Sequence, residues 1–293
     1  MSDAPTYYPT PAFGSIPTPP VPSDPIAQRF VGKVAFVTGA ARGQGRAEAV
    51  RLAAEGADII ALDLCEDIPT VTYKGSAPED LAETAAMVEN LDRRVVTIQS
   101  DTRDYRTMKR ELDAAVAELG RLDVVVANAG MTSGAMAWDI DDEHWDVTIG
   151  MNLTGAFYTA KAAMPIMIEQ GTGGSITFTS SMAGLVGLPF MADYVAAKHG
   201  VTGLAKALSN ELAPYWIRCN SVHPFGVQSG LQMTEVGSLL DQYEVYRPMF
   251  NPALPDYISQ PEDIAAAVAW IASDEARHVT GIQLPVALGR SNR

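Results

Sequence analysis

Tyr194 and Lys198 stand four residues apart in a stretch compatible with helix, which puts a phenol and an ammonium one turn apart on one face. A cation there favours the phenolate and draws the tyrosine pKa toward working pH, so that the phenol can exchange a proton with a hydroxyl presented to it. Spacing alone does not select this pair, because Tyr105 and Lys109 repeat it in a polar stretch where a solvated helix face is the natural reading. The first pair is distinguished by Ser181, thirteen residues before Tyr194 and just past an apolar run; Tyr105 has Asp92 at the same offset. A hydroxyl, a phenol and an ammonium gathered in one place predict proton transfer to or from the oxygen of a small molecule.

A second group of residues predicts what fills the rest of such a site. Thr38-Gly39-Ala40-Ala41-Arg42-Gly43-Gln44-Gly45 follows an apolar run and opens a helix-compatible one. Glycines permit the tight turn and let backbone N–H groups approach a pyrophosphate at a helix N-terminus, where the dipole favours negative charge. Asp63 ends the next apolar run, 18 residues beyond Gly45, with Leu64 beside it; strand, glycine turn, helix and acidic residue in this order form a dinucleotide fingerprint. The carboxylate can accept hydrogen bonds from both ribose hydroxyls of NAD, and it would oppose a 2′-phosphate by about 4 kcal/mol per unit charge at roughly 4 Å and a dielectric of about 20. Arg42 is the local argument for the other cofactor, since a cation in the turn can meet such a phosphate. The alternatives are an NADPH-linked carbonyl reductase and a nucleotide-binding module without chemistry.

These residues need a scaffold, and the hydrophobic pattern supplies one. Strand-like runs at 34–38, 58–62, 95–99, 124–128, 175–179, 218–222 and 283–286 alternate with helix-period stretches, the pattern of parallel βαβ units. Val34-Ala35-Phe36-Val37 and Val124-Val125-Val126-Ala127 are continuously apolar, as strands covered by helices on both faces must be. The expected fold is α/β: a doubly wound Rossmann fold with a seven-stranded parallel sheet. Ligands on such a sheet bind beyond the carboxyl ends of the strands, where the glycine turn, Asp63 and Ser181 all fall. Two connections on that side exceed ordinary loop length. The 65–78 insertion follows the second strand, and the 227–260 segment carries Leu231, Met233, Leu239, Leu240, Tyr243, Tyr246, Met249 and Phe250. The second is read as a lid over an apolar substrate, against a helix pair packed on the domain or on a partner subunit.

Composition narrows the partners. The first 29 residues hold eight prolines and no apolar periodicity, so 1–29 is read as a disordered tail and 30–293 as one catalytic domain. No Lys or Arg precedes Arg29, which argues against secretory and transit signals and predicts a cytoplasmic protein. With a formal charge of −14 and no long apolar run, nucleic acid and membranes are disfavoured as partners and small molecules favoured. Cys65 and Cys219 have no ligand spacing with His144, His199, His223 or His278, so no metal is expected. His199 points roughly 100° away from Lys198, and reads as a surface or interface residue.

Taken together, these motifs resemble the short-chain dehydrogenase/reductase family over 31–293. Matching positions are the glycine turn, Asp101 with Thr102 after the third strand, Asn128-Ala129-Gly130 after the fourth, Asn152 in Met151-Asn152-Leu153-Thr154-Gly155, Ser181, Tyr194 and Lys198. The resemblance implies that Ser181 orients the substrate oxygen and that Tyr194 is the general base for alcohol oxidation. It further implies that Lys198 also holds the nicotinamide ribose and that Asn152 supports a water in a proton relay. Gly39, Arg42, Gly43, Gln44, Gly45, Asp63, Leu64, Asp101, Thr102, Asn128, Ala129, Gly130, Tyr194 and Lys198 would hold NAD, with Pro224, Gly226 and Val227 at its carboxamide, and a homotetramer would use the helices of Asn152 and Tyr194.

The glycine turn, the insertion after Asp63, Ala127-Asn128-Ala129-Gly130 and Asn210-Glu211-Leu212-Ala213-Pro214 resemble a narrower, mycofactocin-associated and carveol-dehydrogenase-like branch. That branch implies NAD held without exchange and an external electron carrier, with a terpenoid-like secondary alcohol as substrate. Phe225, between Pro224 and Gly226, departs from its pattern. The insertion, beside the adenosine end that Asp63 defines, is a candidate cover for the cofactor.

Overall fold

The computed structural model describes residues 27–231, 233–256 and 258–292. Seven parallel strands form one sheet in the order β3-β2-β1-β4-β5-β6-β7, with β1 at Val34–Thr38, β2 at Asp58–Asp63, β3 at Val95–Gln99, β4 at Val124–Ala127, β5 at Gly174–Thr179, β6 at Ile217–Pro224 and β7 at Gln283–Val286. This is the doubly wound arrangement expected from the apolar runs. Asn128 falls just outside β4, because its amide donates to Thr38 Oγ1 instead of continuing the ladder.

Alternation along β1 shows how the layers form. Val34 and Phe36 join one core cluster while Ala35 and Val37 join another, as side chains of successive strand residues must point to opposite faces. The first cluster packs the sheet against α3 (Tyr105–Leu119), α5 (Gly155–Gln170) and α6 (Ala192–Leu212), through Met108, Leu112, Met167 and Leu208. The second packs it against α1 (Gly43–Ala54), α2 (Pro78–Glu89) and α8 (Pro261–Ala272), through Leu52, Val88, Ile264 and Val268. Two further helices lie on the ligand side: α4 (Asp142–Ile149) and α7 (Thr234–Gln242).

The sheet order reverses between β1 and β4, which pair through Ala35↔Val124, Phe36↔Val125 and Val37↔Val126. The glycine turn after β1 and the loop after β4 therefore meet at the switch point, where a crevice must open.

Residues 1–26 of the predicted tail lie outside the described residues. At its end the tail reading is corrected, because Gln28 donates to Ala54 O and Arg29 pairs with Glu55 and Glu275. The second Tyr/Lys pair is used for packing: Tyr105 stacks near Tyr158 under Lys161, and Lys109 pairs with Asp113. Among the described residues no helix is long and apolar enough to cross a membrane, and no group of three or more His, Cys, Asp or Glu is placed to hold a metal.

Candidate active site

A cavity of about 460 Å³ opens at the switch point. Of the predicted residues, Gly39, Arg42, Gly43, Gln44, Asp63, Leu64, Asp101, Thr102, Asn128, Ala129, Gly130, Asn152, Ser181, Tyr194, Lys198, Pro224, Gly226 and Val227 all line it. Gly45 does not. A Cβ there would stand 2.0 Å from Gly39 O, so Gly45 lets α1 close on the turn instead of facing the cavity.

The glycine turn leaves the start of α1 open. Arg42 occupies the N-cap position with extended backbone and makes no side-chain cap, so first-turn N–H groups remain for an anion. The Arg42 guanidinium itself turns away to donate to Lys74 O at 2.7 Å and Gly75 O at 3.2 Å. Two carbonyls of the insertion thereby engage the guanidinium that would be the local support for a 2′-phosphate. Asp63, 7% exposed, accepts from Ala41 N, Cys65 N and Ser76 Oγ. It both holds the turn and anchors the insertion, a structural duty its position in the sequence did not reveal. Asp101 is held by Arg103.

At the other end of the cavity, Ser181 follows β5 and starts a short turn in which its Oγ accepts from Ala183 N. Lys198, 3% exposed, donates from Nζ to Thr179 O at 2.8 Å, and Nζ lies 5.5 Å from the Tyr194 ring centre. Burial pushes the Lys198 ammonium down to about 8. Burial also pushes the Tyr194 phenol up to about 12, against the pull of its bond with Ser181. Both groups are buried away from water, which disfavours the charged form of each.

Asn152 sits in a single π turn, Gly150–Thr154, between α4 and α5. Its carboxamide is spent on Met131 and Thr148, with Nδ2 donating to Met131 O and Thr148 O and Oδ1 accepting from Met131 N. The side chain braces the loop after β4. His199 is exposed, and its Nδ1 lies 2.9 Å from Val195 O of its own helix.

The sequence profile of the short chain dehydrogenase family matches residues 33–238. A short chain dehydrogenase from Mycobacterium paratuberculosis, solved bound to NAD, is 46% identical with a TM-score of 0.89, the match covering 90% of this chain and 100% of that one. A carveol dehydrogenase from Mycobacterium avium, solved in complex with NAD, is 45% identical with a TM-score of 0.84, covering 90% and 99%. The (-)-trans-carveol dehydrogenase of Rhodococcus erythropolis is 41% identical over 276 residues, 89% of this chain and 98% of that protein. The chain belongs to the short-chain dehydrogenase family.

In this short-chain dehydrogenase the cavity fits a dinucleotide on its own chemistry. An uncapped helix start faces one end, Gln44 Oε1 is buried there without a partner, and at Gly39 a Cβ would close to 2.9 Å from Ala129 Cα. A side chain at Gly39 would press on the Ala129 backbone across the crevice in which a pyrophosphate would lie.

Two polar residues of the dehydrogenase site escaped the sequence reading. His223, fully buried, brings Nδ1 to 2.8 Å from Ser181 O and Nε2 to 2.8 Å from Ser221 Oγ. A carbonyl only accepts, so Nδ1 carries the proton and the ring fixes the backbone of Ser181. Its placement at the end of an apolar strand was the available signal. Tyr73, 6% exposed, comes from the insertion and accepts from Thr132 N at 3.1 Å. No periodicity in the insertion marked which way it would point.

His223 also predicts a pH effect. Burial holds its pKa at about 4, below the ordinary 6.5, so the unfolded chain takes up a proton that the fold refuses. The associated stability is present above the unfolded pKa and lost as pH falls from 6.5 toward 4, by about 3 kcal/mol. His223→Asn is expected to flatten that part of the stability curve in urea titrations across this range. An equally steep loss in the variant would remove His223 as its cause.

Part of the 227–260 segment packs against the domain, while Met233, Tyr246 and Met249 stay exposed. Val236, Leu239, Leu240, Tyr243 and Phe250 cluster with Leu188, Phe190 and Met191, while Leu231, Met233 and Phe250 also face the cavity.

Proposed function

We propose that this enzyme oxidises a secondary alcohol to a ketone with NAD, on an apolar substrate of terpenoid size, and that it holds its NAD tightly enough for an external carrier to reoxidise it. The observation that carries the reading is one cavity lined by the glycine turn at one end and by Ser181, Tyr194 and Lys198 at the other.

NAD, when bound, supplies the hydride acceptor and a positively charged ring. Everything else falls to the chain. Ser181 and Tyr194 hydrogen-bond the substrate oxygen, and Tyr194 takes the hydroxyl proton as the C–H bond opens. Lys198 holds positive charge near the phenol, opposing the burial that keeps Tyr194 protonated. Met131, Leu188, Met191, Leu231 and Phe250 supply apolar walls to the cavity, in keeping with a greasy substrate. The carveol dehydrogenases among the relatives support a terpenoid. NAD is favoured over NADP by Asp63 at the cavity wall and by the engagement of Arg42 with the insertion.

Retention of NAD is supported by ties that hold the insertion down. Arg42 binds its carbonyls, Ser76 binds Asp63, and Thr72 donates to Glu235 of α7. Insertion and lid are thereby joined to each other and to the turn beneath them. The homotetramer implied by the family is retained as a proposal, with the partly exposed Trp145 of α4 and Phe157 of α5 as candidate contacts.

Denaturing protein purified without added nucleotide is expected to release NAD, and terpenoid alcohols are expected to turn over repeatedly only with an artificial electron acceptor. Release of no nucleotide would end the retention proposal. Failure of every secondary alcohol with NAD would end the functional one.

A further inference from the structure

The insertion after β2 does not stop at the adenosine end of the cavity. Tyr73 crosses from it to the loop after β4, where its hydroxyl accepts from Thr132 N. Tyr73 lines the same cavity as Tyr194, Ser181 and Lys198, and the two phenols are close enough that a charge on one is felt at the other. The same cavity is lined by Arg42 and Gly43 of the glycine turn.

The hydrogen-bond count at this phenol is incomplete. A tyrosine hydroxyl has one proton to give as well as lone pairs to receive. Thr132 N–H takes a lone pair, and no group among the described residues accepts the proton. Next to it, Thr132 Oγ1 is buried without a partner. Polar groups left this way in a buried site cost stability unless a bound molecule completes them. Met131, Leu188 and Met191, which line the same cavity, carry no side-chain oxygen or nitrogen that could complete them.

We propose that Tyr73 is a further positioning residue of the reaction centre, its O–H donated to an acceptor oxygen of the molecules that fill the cavity opposite Tyr194. Thr132 N fixes the phenol so that its proton has one direction left. The acceptor belongs either to the nucleotide or to the substrate; in the second case the enzyme prefers secondary alcohols bearing another oxygen, such as hydroxy ketones, diols or hydroxy acids. The inference rests on the function proposed above.

Tyr73→Phe keeps the ring and removes the donor. NAD affinity is measured by direct titration of nucleotide-free protein, and kcat/KM is measured on pairs of secondary alcohols that differ only in carrying a second oxygen. A nucleotide acceptor predicts NAD binding weakened by roughly tenfold or more in the variant, with both alcohols of each pair affected alike. A substrate acceptor predicts unchanged NAD binding, a wild-type preference of roughly tenfold or more for one oxygenated alcohol, and loss of that preference in the variant. Unchanged NAD affinity together with unchanged alcohol ratios would overturn the proposal. If the wild type oxidises no secondary alcohol, the functional reading fails by itself, and the nucleotide titration then decides Tyr73.

Discussion

Tyr194→Phe is expected to keep its nucleotide and lose turnover by at least about a thousandfold, the upper range for removing a general base. The ring stays, so the packing of α6 against the cavity is preserved. The loss is confined to one oxygen, which bonds Ser181 and faces the cavity. Little stability is expected to be lost, because Ser181 Oγ keeps the Ala183 N–H it accepts from. NAD affinity is predicted to change little, since the turn, Asp63 and Lys198 are untouched. Measured kcat and nucleotide dissociation constants separate these effects, and comparable turnover in the variant would show that some other group moves the proton.

Gly45→Ala is expected to force α1 off the glycine turn. The added carbon would lie 2.0 Å from Gly39 O and 2.7 Å from Asn128 Nδ2. The first of these is main chain, fixed in a turn whose next amide donates to Leu62 O, so it cannot swing aside as a flexible side chain would. α1 must then move off the turn, and the N–H groups at its start move with it. NAD binding is expected to weaken by roughly a hundredfold or more, about 3 kcal/mol, with a stability loss of about 1–3 kcal/mol from overpacking. Nucleotide recovered on denaturation and the urea midpoint measure the two separately. A variant that keeps its NAD would show that the glycine turn does not position the pyrophosphate.

The parts of this protein that repeat were legible in its sequence. β1 could be read because a strand covered on both faces must be apolar at every position, and Val34 to Val37 are. Tyr194 and Lys198 could be paired because a helix brings residues four apart together wherever it lies. The glycine turn was legible because few backbones tolerate what Gly39 and Gly43 adopt, at φ of +70° and +57°.

Direction and partnership were decided only by the tertiary structure. Nothing local tells Arg42 to face Lys74 and Gly75 instead of a phosphate, or sends Tyr73 from the insertion to Thr132, 59 residues away. Nor does the Asn152 motif say that its carboxamide is consumed by Met131. Likewise, the spacing of Tyr194 and Lys198 predicted their contact but not their pKa values, which depend on how much water the surrounding helices exclude. Local pattern specifies backbone periodicity, whereas the hydrogen-bond partner of a buried polar group is whichever distant segment the completed fold brings within reach.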